Sequence, residues 1–399
     1  MKLLSKKAAG YILLASITFN LIFIAIDIYP SISREAWEYY ESKQKGKISD
    51  PVILQESILQ KSMEMARGRT TLMPMHDQSF FLKEIKTKLK SLKSTKSTPY
   101  FYPKAFLFTG LTDYAISHQD SSLMKEIKKE FNFYIKEDGR PSFEVNIVDQ
   151  IPFGMAAINF YRFYGEEKYK KMADYMFLKI LEWRSEETGL IYYRTDHINK
   201  FYYVDTLGMI CPFLSRYYYY FDVSTAKVIA RNQLDYFINH GIDQDSQLPF
   251  HAINIKQGLK VGPTNWGRGI GWYYLAMSEY TKYTRDLFLN ETIFELNITL
   301  EGLKNDTNTW TQFPGSSEHF DASATVMFLY CILSLQPNHD LQDQVISILA
   351  PEMLNGNLLS TSGDTHSINK YSTTFGNSEL SHGIFLMTLG LEKNLKTYY

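Results

Sequence analysis

Residues 150–165 read QIPFGMAAINFYRFYG, and residues 166–183 continue EEKYKKMADYMFLKILEW. The contrast between these two halves decides the fold. The first is apolar almost all round, so as a helix it needs a neighbour on every side. The second interleaves charge with apolar residues and can turn one face to water. Such a pair cannot bury itself, so it must stack on further pairs.

The same unit recurs along the chain. Apolar helices are predicted at 101–116, 150–165, 206–221, 269–283, 322–335 and 381–394. Amphipathic partners are predicted to begin near Ser79, Ser122, Glu166, Val223, Arg285 and His339. An open stack of pairs needs polar capping repeats at its two ends. The sequence offers none, and closing the stack into a ring removes the need. The expected fold is therefore all-α, an (α/α)6 barrel or six-hairpin toroid. Strands do not alternate with helices, which argues against a parallel α/β fold. GLIYYR (189–194) and TWTQF (309–313) read as small strands within loops.

Ahead of the repeats, Lys2, Lys6 and Lys7 precede an apolar run from Ala8 to about Tyr29. That run reaches the roughly 20 residues a helix needs to cross a bilayer. It ends in IDIYPSIS, where a signal peptidase would need small residues. An uncleaved signal anchor is expected over residues 1–30, with a stalk and the first outer helix over 31–97 and the barrel over 98–399. The leading lysines favour a single-pass topology with the body outside the cytoplasm. A lysine-rich stretch, FLKEIKTKLKSLKSTKS (81–97), reads as a solvated helix face.

The charge balance, 42 basic against 43 acidic residues, leaves no footprint for nucleic acid. Aromatic content is high, with 29 Tyr and 26 Phe, which suits sugar stacking and an aromatic core equally. Cys211 and Cys331 each sit in an apolar segment and read as buried free thiols. Two Cys make neither a disulfide scaffold nor a structural zinc site.

The loops before the inner helices carry the functional signal. They place Asp149, Asp205, Trp266 with Arg268, Asp321, and Ser381 with His382 at the starts of otherwise apolar helices. In a ring of parallel inner helices these starts meet at one end. Helix capping accounts for any single aspartate equally well. It does not account for Trp, Arg and His at the matching positions of other repeats. Two carboxylates in one aromatic basin suit glycoside chemistry, one delivering a proton and one orienting water or balancing charge. An Arg can hold a substrate carboxylate through two parallel hydrogen bonds. His251, in LPFHAIN, adds a titratable group near the same rim.

NWGRGIGWYYLAMSEY (265–280) resembles the W-x-R-G-x-G-W signature of the unsaturated glucuronyl and unsaturated rhamnogalacturonyl hydrolases, glycoside hydrolase families 88 and 105. YYVDTLGMICPFLSRY (202–217) is similar to their Asp-containing D-x-L-x-M-x-x-P-F-L-x-R stretch. VDQIPFGMAAINFY and HFDASATVMFLYCI resemble the neighbouring repeats, so the likeness spans roughly Tyr100 to Leu391. The resemblance implies removal of a terminal 4,5-unsaturated uronic acid. On that pattern Asp205 protonates C4 and helps water attack C5, and Asp149 binds hydroxyls and tunes Asp205. His251 and Arg268 would bind the substrate, with Trp266 and Trp272 as stacking walls, and Asp321 and His382 as further binding residues. The expected partner is an oligosaccharide or polysaccharide, and the resemblance implies no metal or organic cofactor. Another glycosidase or lyase acting on a surface polysaccharide, or an inactive membrane-anchored glycan-binding relative, are the competing readings.

Overall fold

The computed structural model describes residues 7–8, 10–22, 43, 45–46, 48, 50–68, 102–193, 201–317, 320–335 and 339–391. The outer helices are α1 (Pro51–Ala66), α3 (Ser121–Phe131), α5 (Glu167–Trp183), α7 (Ser224–His240), α9 (Asn290–Gly302) and α11 (His339–Leu349). Alternating with them are the inner helices α2 (Tyr102–Ser117), α4 (Phe153–Tyr164), α6 (Val204–Phe221), α8 (Gly267–Thr284), α10 (Ala322–Leu335) and α12 (Glu379–Leu389). Each inner helix packs on the next, and α12 returns to α2, closing the ring. Helix α8 is buried along most of its length, whereas outer helices expose residues such as Leu178 and Phe294. The (α/α)6 toroid expected from the sequence is the fold observed.

Closure depends on close backbone approach. Gly110 of α2 and Gly383 of α12 sit back to back, and a Cβ on Gly110 would overlap the Gly383 carbonyl. At the α6–α8 contact, Gly208 receives the Trp272 ring in the same way. The ring is also tied by buried ions. Arg216 of α6 is fully buried and makes two parallel bonds of 3.0 Å to Asp113 of α2. Its Nε donates to Glu279 of α8 at 2.8 Å, and Tyr330 of α10 donates to the same carboxylate. These partners all lie in the C-terminal parts of inner helices, so the inner helices run parallel. Removing one member of such a network strands the remaining charges without water.

One outer element differs from expectation. The position outside α12 and α2 is filled by α1, capped by Asp50 and opened by Pro51, with Leu54 and Ile58 buried. Helix α1 lies within 31–97, the stretch assigned to the stalk and first outer helix, but begins ahead of Ser79. The start expected near Ser79 and the lysine-rich stretch 81–97 lie outside the described residues. Of the expected anchor, residues 10–22 are helical and exposed, whereas 1–6, 9 and 23–42 lie outside the described residues. Among the described residues no helix is long and apolar enough to cross a membrane.

Small strands shape the loops. β1 (Phe201–Tyr203), β2 (Ala252–Asn254) and β3 (Leu259–Val261) form an antiparallel sheet in that order. The expected loop strands appear as isolated bridges that close single loops, Arg184 with Ile191 and Thr311 with Phe320. After α11 come two short hairpins, β4–β5 (Met353–Leu354, Asn357–Leu358) and β6–β7 (Thr361–Ser362, Phe375–Gly376). Cys211 and Cys331 are free and buried, and burial pushes both thiols far above their usual range.

Candidate active site

The starts of the inner helices meet at the opposite end from the Arg216 network. Tyr102 at the start of α2 accepts from Arg268 at the start of α8. Asp149 lies in a single 3-10 turn, Val148–Gln150, just before α4. Gln150 holds that turn by accepting from the Asn146 and Ile147 amides and donating to the Glu144 carbonyl. Asp149 is buried and accepts a 2.6 Å hydrogen bond from the Tyr193 hydroxyl. Burial first, then Asp149, then Asp205 hold the Tyr193 hydroxyl well above its usual range, so it stays a donor. Its field links the two aspartates in one place.

Sheet register brings the second aspartate to a histidine. Tyr203 pairs with Ala252, and the Val204 amide donates to the His251 carbonyl at 3.0 Å. Asp205, in the first turn of α6, consequently faces His251, with Oδ2 3.5 Å from Nε2. The Asp205 side chain is 18% exposed, yet its Oδ2 is buried and makes no hydrogen bond with any described residue. Trp266 tilts over the His251 ring with centroids 4.5 Å apart, and Tyr371 stands 5.4 Å from Trp266. Asp205, His251 and Trp266 thus meet in one aromatic cluster, which Asp149 joins through Tyr193, whose ring lies 5.8 Å from that of Tyr203.

Four other expected site residues do different work. Arg268 donates to the Asp364 carboxylate at 3.1 Å, to the Ser362 carbonyl and hydroxyl, and to the Gly363 carbonyl. Both terminal nitrogens are engaged, so Arg268 fastens the β6–β7 hairpin over the basin instead of presenting an open fork to a substrate. Trp272 is buried between Phe106 and Tyr102 and is core. Asp321 caps α10 through Oδ1, accepting from the Ser323 amide and hydroxyl, while its buried Oδ2 makes no hydrogen bond with any described residue. His382 points outward from the ring, bonded to Ser62 of α1 and to the Leu358 amide.

His382 carries a testable consequence. Burial lowers its pKa to about 3, so it stays neutral in the folded state. Unfolded, it protonates near pH 6.5, so the unfolded chain binds more protons between those limits. Stability therefore rises with pH across that window and falls as pH drops from about 6.5 towards 3, by up to about 1.4 kcal/mol per unit. In urea titrations at several pH values, His382→Gln is expected to flatten this part of the slope. An unchanged slope would contradict the assignment.

Tyr102, Tyr193, Asp364 and Tyr371 were not singled out from the sequence. Tyr193 lies in the quoted GLIYYR piece, whose second tyrosine had a hydroxyl to place. Asp364 and Tyr371 occupy an irregular stretch with no periodic pattern. Among the described residues no group of three or more His, Cys, Asp or Glu is arranged to hold a metal ion.

A model of Glycosyl Hydrolase Family 88 matches residues 78–343, about two thirds of the chain. The chain belongs to glycosyl hydrolase family 88. Family 88 membership accounts for the toroid and makes an oligosaccharide the class of substrate. Solved structures agree on the fold. A glycoside hydrolase from family 105 of C. acetobutylicum ATCC 824 superposes with a TM-score of 0.64 at 16% identity, covering 79% of this chain and 99% of that one. An unsaturated glucuronyl hydrolase specific for heparin superposes with a TM-score of 0.59 at 15% identity, covering 85% and 95%. A family 88 glycosyl hydrolase from Bacteroides vulgatus gives 0.54 at 13% identity, covering 78% and 97%. None of the curated proteins matches this sequence. The matched region of this family 88 chain contains Asp149, Asp205, His251 and Trp266, whereas Asp364 and Tyr371 lie beyond it.

Proposed function

We propose that this protein is a glycoside hydrolase that removes a terminal 4,5-unsaturated uronic acid from an oligosaccharide. Asp205 donates a proton to C4 of the enol ether, and its carboxylate then takes a proton from the water that adds at C5. The hemiketal so formed opens and releases the neighbouring sugar. The observation that carries this reading is the Asp205 Oδ2, buried in the aromatic basin and unbonded to any described residue. A general acid needs a carboxyl oxygen that is not already committed to a protein donor. Asp149, pinned by Tyr193, orients substrate hydroxyls beside it. Trp266 supplies the stacking wall.

The test is loss of the ultraviolet absorbance of the C4–C5 double bond when the protein meets lyase-generated oligosaccharides. Turnover of saturated glycans alone would replace this reading with another glycosidase activity. Tyr193→Phe keeps the ring but removes the hydrogen bond to the Asp149 carboxylate. Such bonds to charged groups contribute about 1.5–3 kcal/mol, so kcat/KM is expected to fall about 10- to 100-fold. The thermal midpoint should fall as well, because the same bond serves a buried carboxylate, and unchanged kinetics would remove Asp149 from the site.

The apolar run before Tyr29 is read as a tether that places the barrel outside the cytoplasm. Protease digestion of intact cells checks this: the body should be cleaved once any outer barrier is opened, and full protection would contradict it.

A further inference from the structure

His251 is 4% exposed, and its surroundings define which ring nitrogen carries the proton. Nδ1 lies 3.1 Å from the Ile368 carbonyl oxygen and 2.8 Å from the Tyr371 hydroxyl oxygen. The Tyr371 hydroxyl gives its own proton to the same Ile368 carbonyl at 2.7 Å. A carbonyl only accepts, and a tyrosine has one proton to give. With the tyrosine proton on the carbonyl, Nδ1 is matched to both oxygens as the N–H. Burial, with a smaller push from Asp205, holds the Tyr371 hydroxyl well above its usual range, so that proton is not lost.

The neutral ring then has a bare Nε2, and this is the atom facing Asp205 Oδ2 at 3.5 Å. Two lone-pair atoms facing each other away from water repel unless one proton lies between them. The ring cannot turn aside easily. Trp266 covers it, and Gly262 packs against its Cβ so closely that a methyl there would collide. The 368–371 turn is itself anchored, since Gln312 donates to the Ser372 carbonyl at 3.0 Å and Phe313 packs edge-on to Tyr371. Other titratable groups facing His251 are Tyr203 from β1 and, beyond Asp205, Tyr193 with Asp149. Ile368 and Tyr371 lie past residue 343, outside the family match.

We propose that Tyr371 and the Ile368 carbonyl clamp His251 as its Nδ1–H tautomer, so that Nε2 and Asp205 Oδ2 share one proton. Tyr371 is thereby a positioning residue for the acid, acting through His251. This rests on the proposed role of Asp205 only for its kinetic arm. In the forward step the shared proton leaves Asp205 for the substrate carbon. When water adds, Asp205 takes one proton back, so the pair ends each cycle as it began.

Two measurements on the full chain test the clamp. The first is nitrogen-15 NMR of histidine-labelled protein, with His251 assigned by difference against His251→Gln. The wild type is expected to show a protonated Nδ1, and Tyr371→Phe to show a growing Nε2–H population. The second is the pH profile of kcat for the wild type and Tyr371→Phe on unsaturated oligosaccharides. Losing one hydrogen bond to the ring is expected to lower kcat about tenfold and to shift the profile, leaving KM nearly unchanged. A wild-type ring protonated at Nε2 when neutral would overturn the proposal, as would a tautomer and pH profile indifferent to Tyr371→Phe. If no unsaturated uronide is turned over, the proposed function falls, while the NMR result still decides the clamp.

Discussion

Asp205→Asn is expected to lower kcat/KM on an unsaturated uronyl disaccharide by about a thousandfold, because acid–base catalysis by one positioned group contributes about 10²–10⁴. The amide keeps the size and planarity of the carboxyl, so the aromatic basin should stay packed. It has no acidic proton to give to C4 and cannot take one from water. The amide can turn its NH2 towards the Nε2 of His251, so the change strands no buried group. The thermal midpoint should therefore move by no more than about 3 °C, the scale of about 1 kcal/mol in a chain of this size. A variant that keeps a tenth or more of its activity would transfer the acid role to Asp149. Folding loss in place of catalytic loss would make Asp205 a cap of α6.

The second large effect concerns stability. Gly383→Ala is expected to destabilise the ring by about 3 kcal/mol or more, at the upper end of overpacking costs. The added methyl would fall on the Phe106 carbonyl and the Leu107 amide of α2, which are backbone and cannot rotate away. Helices α12 and α2 are the last and first of the inner ring, so pushing them apart opens the closure itself. Gly302→Ala is the matched control. It ends α9 with no atom within 4 Å of the new methyl, and a change below about 0.5 kcal/mol is expected. Chemical denaturation of both variants gives the comparison. Equal midpoints would mean that the α2–α12 seam is softer than its geometry implies.

The inner helices were legible in the sequence because their burial is one-dimensional information. Residues 322–335 coincide with α10, and 206–221 lies within α6, since an apolar-all-round segment is covered on every side only inside a ring. The first outer helix was harder. In α1 the exposed Val52 and Ile53 blur the helical period, and neighbouring sequence drew attention to the lysine-rich stretch closer to α2. Where an outer helix joins a closed ring depends on the last inner helix, α12, which lies more than 300 residues away in the chain.

The site divided in the same way. Asp149, Asp205 and Trp266 were legible as a set because each precedes or opens an inner helix, and parallel helices bring those starts together, whereas His251 reaches Asp205 through the β1–β2 register. Asp321 and His382 carry the same positional signature but serve as a cap and as a buried link to α1. Position along the repeat does not tell which way a side chain turns. Asp364 and Tyr371 left no trace because their irregular hairpin is placed by tertiary bonds, to Arg268 and His251 respectively. The arginine expected to meet a substrate carboxylate was already committed to holding that hairpin.

The most direct measurement is turnover of an unsaturated uronyl disaccharide in deuterium oxide, with the product read by NMR at early times. Proton delivery to C4 predicts one deuterium at C4 of the released deoxy sugar acid, at a rate that collapses in Asp205→Asn. Release of the neighbouring sugar with the C4–C5 double bond intact in the product would contradict the account, because the bond would then have been cut without touching C4.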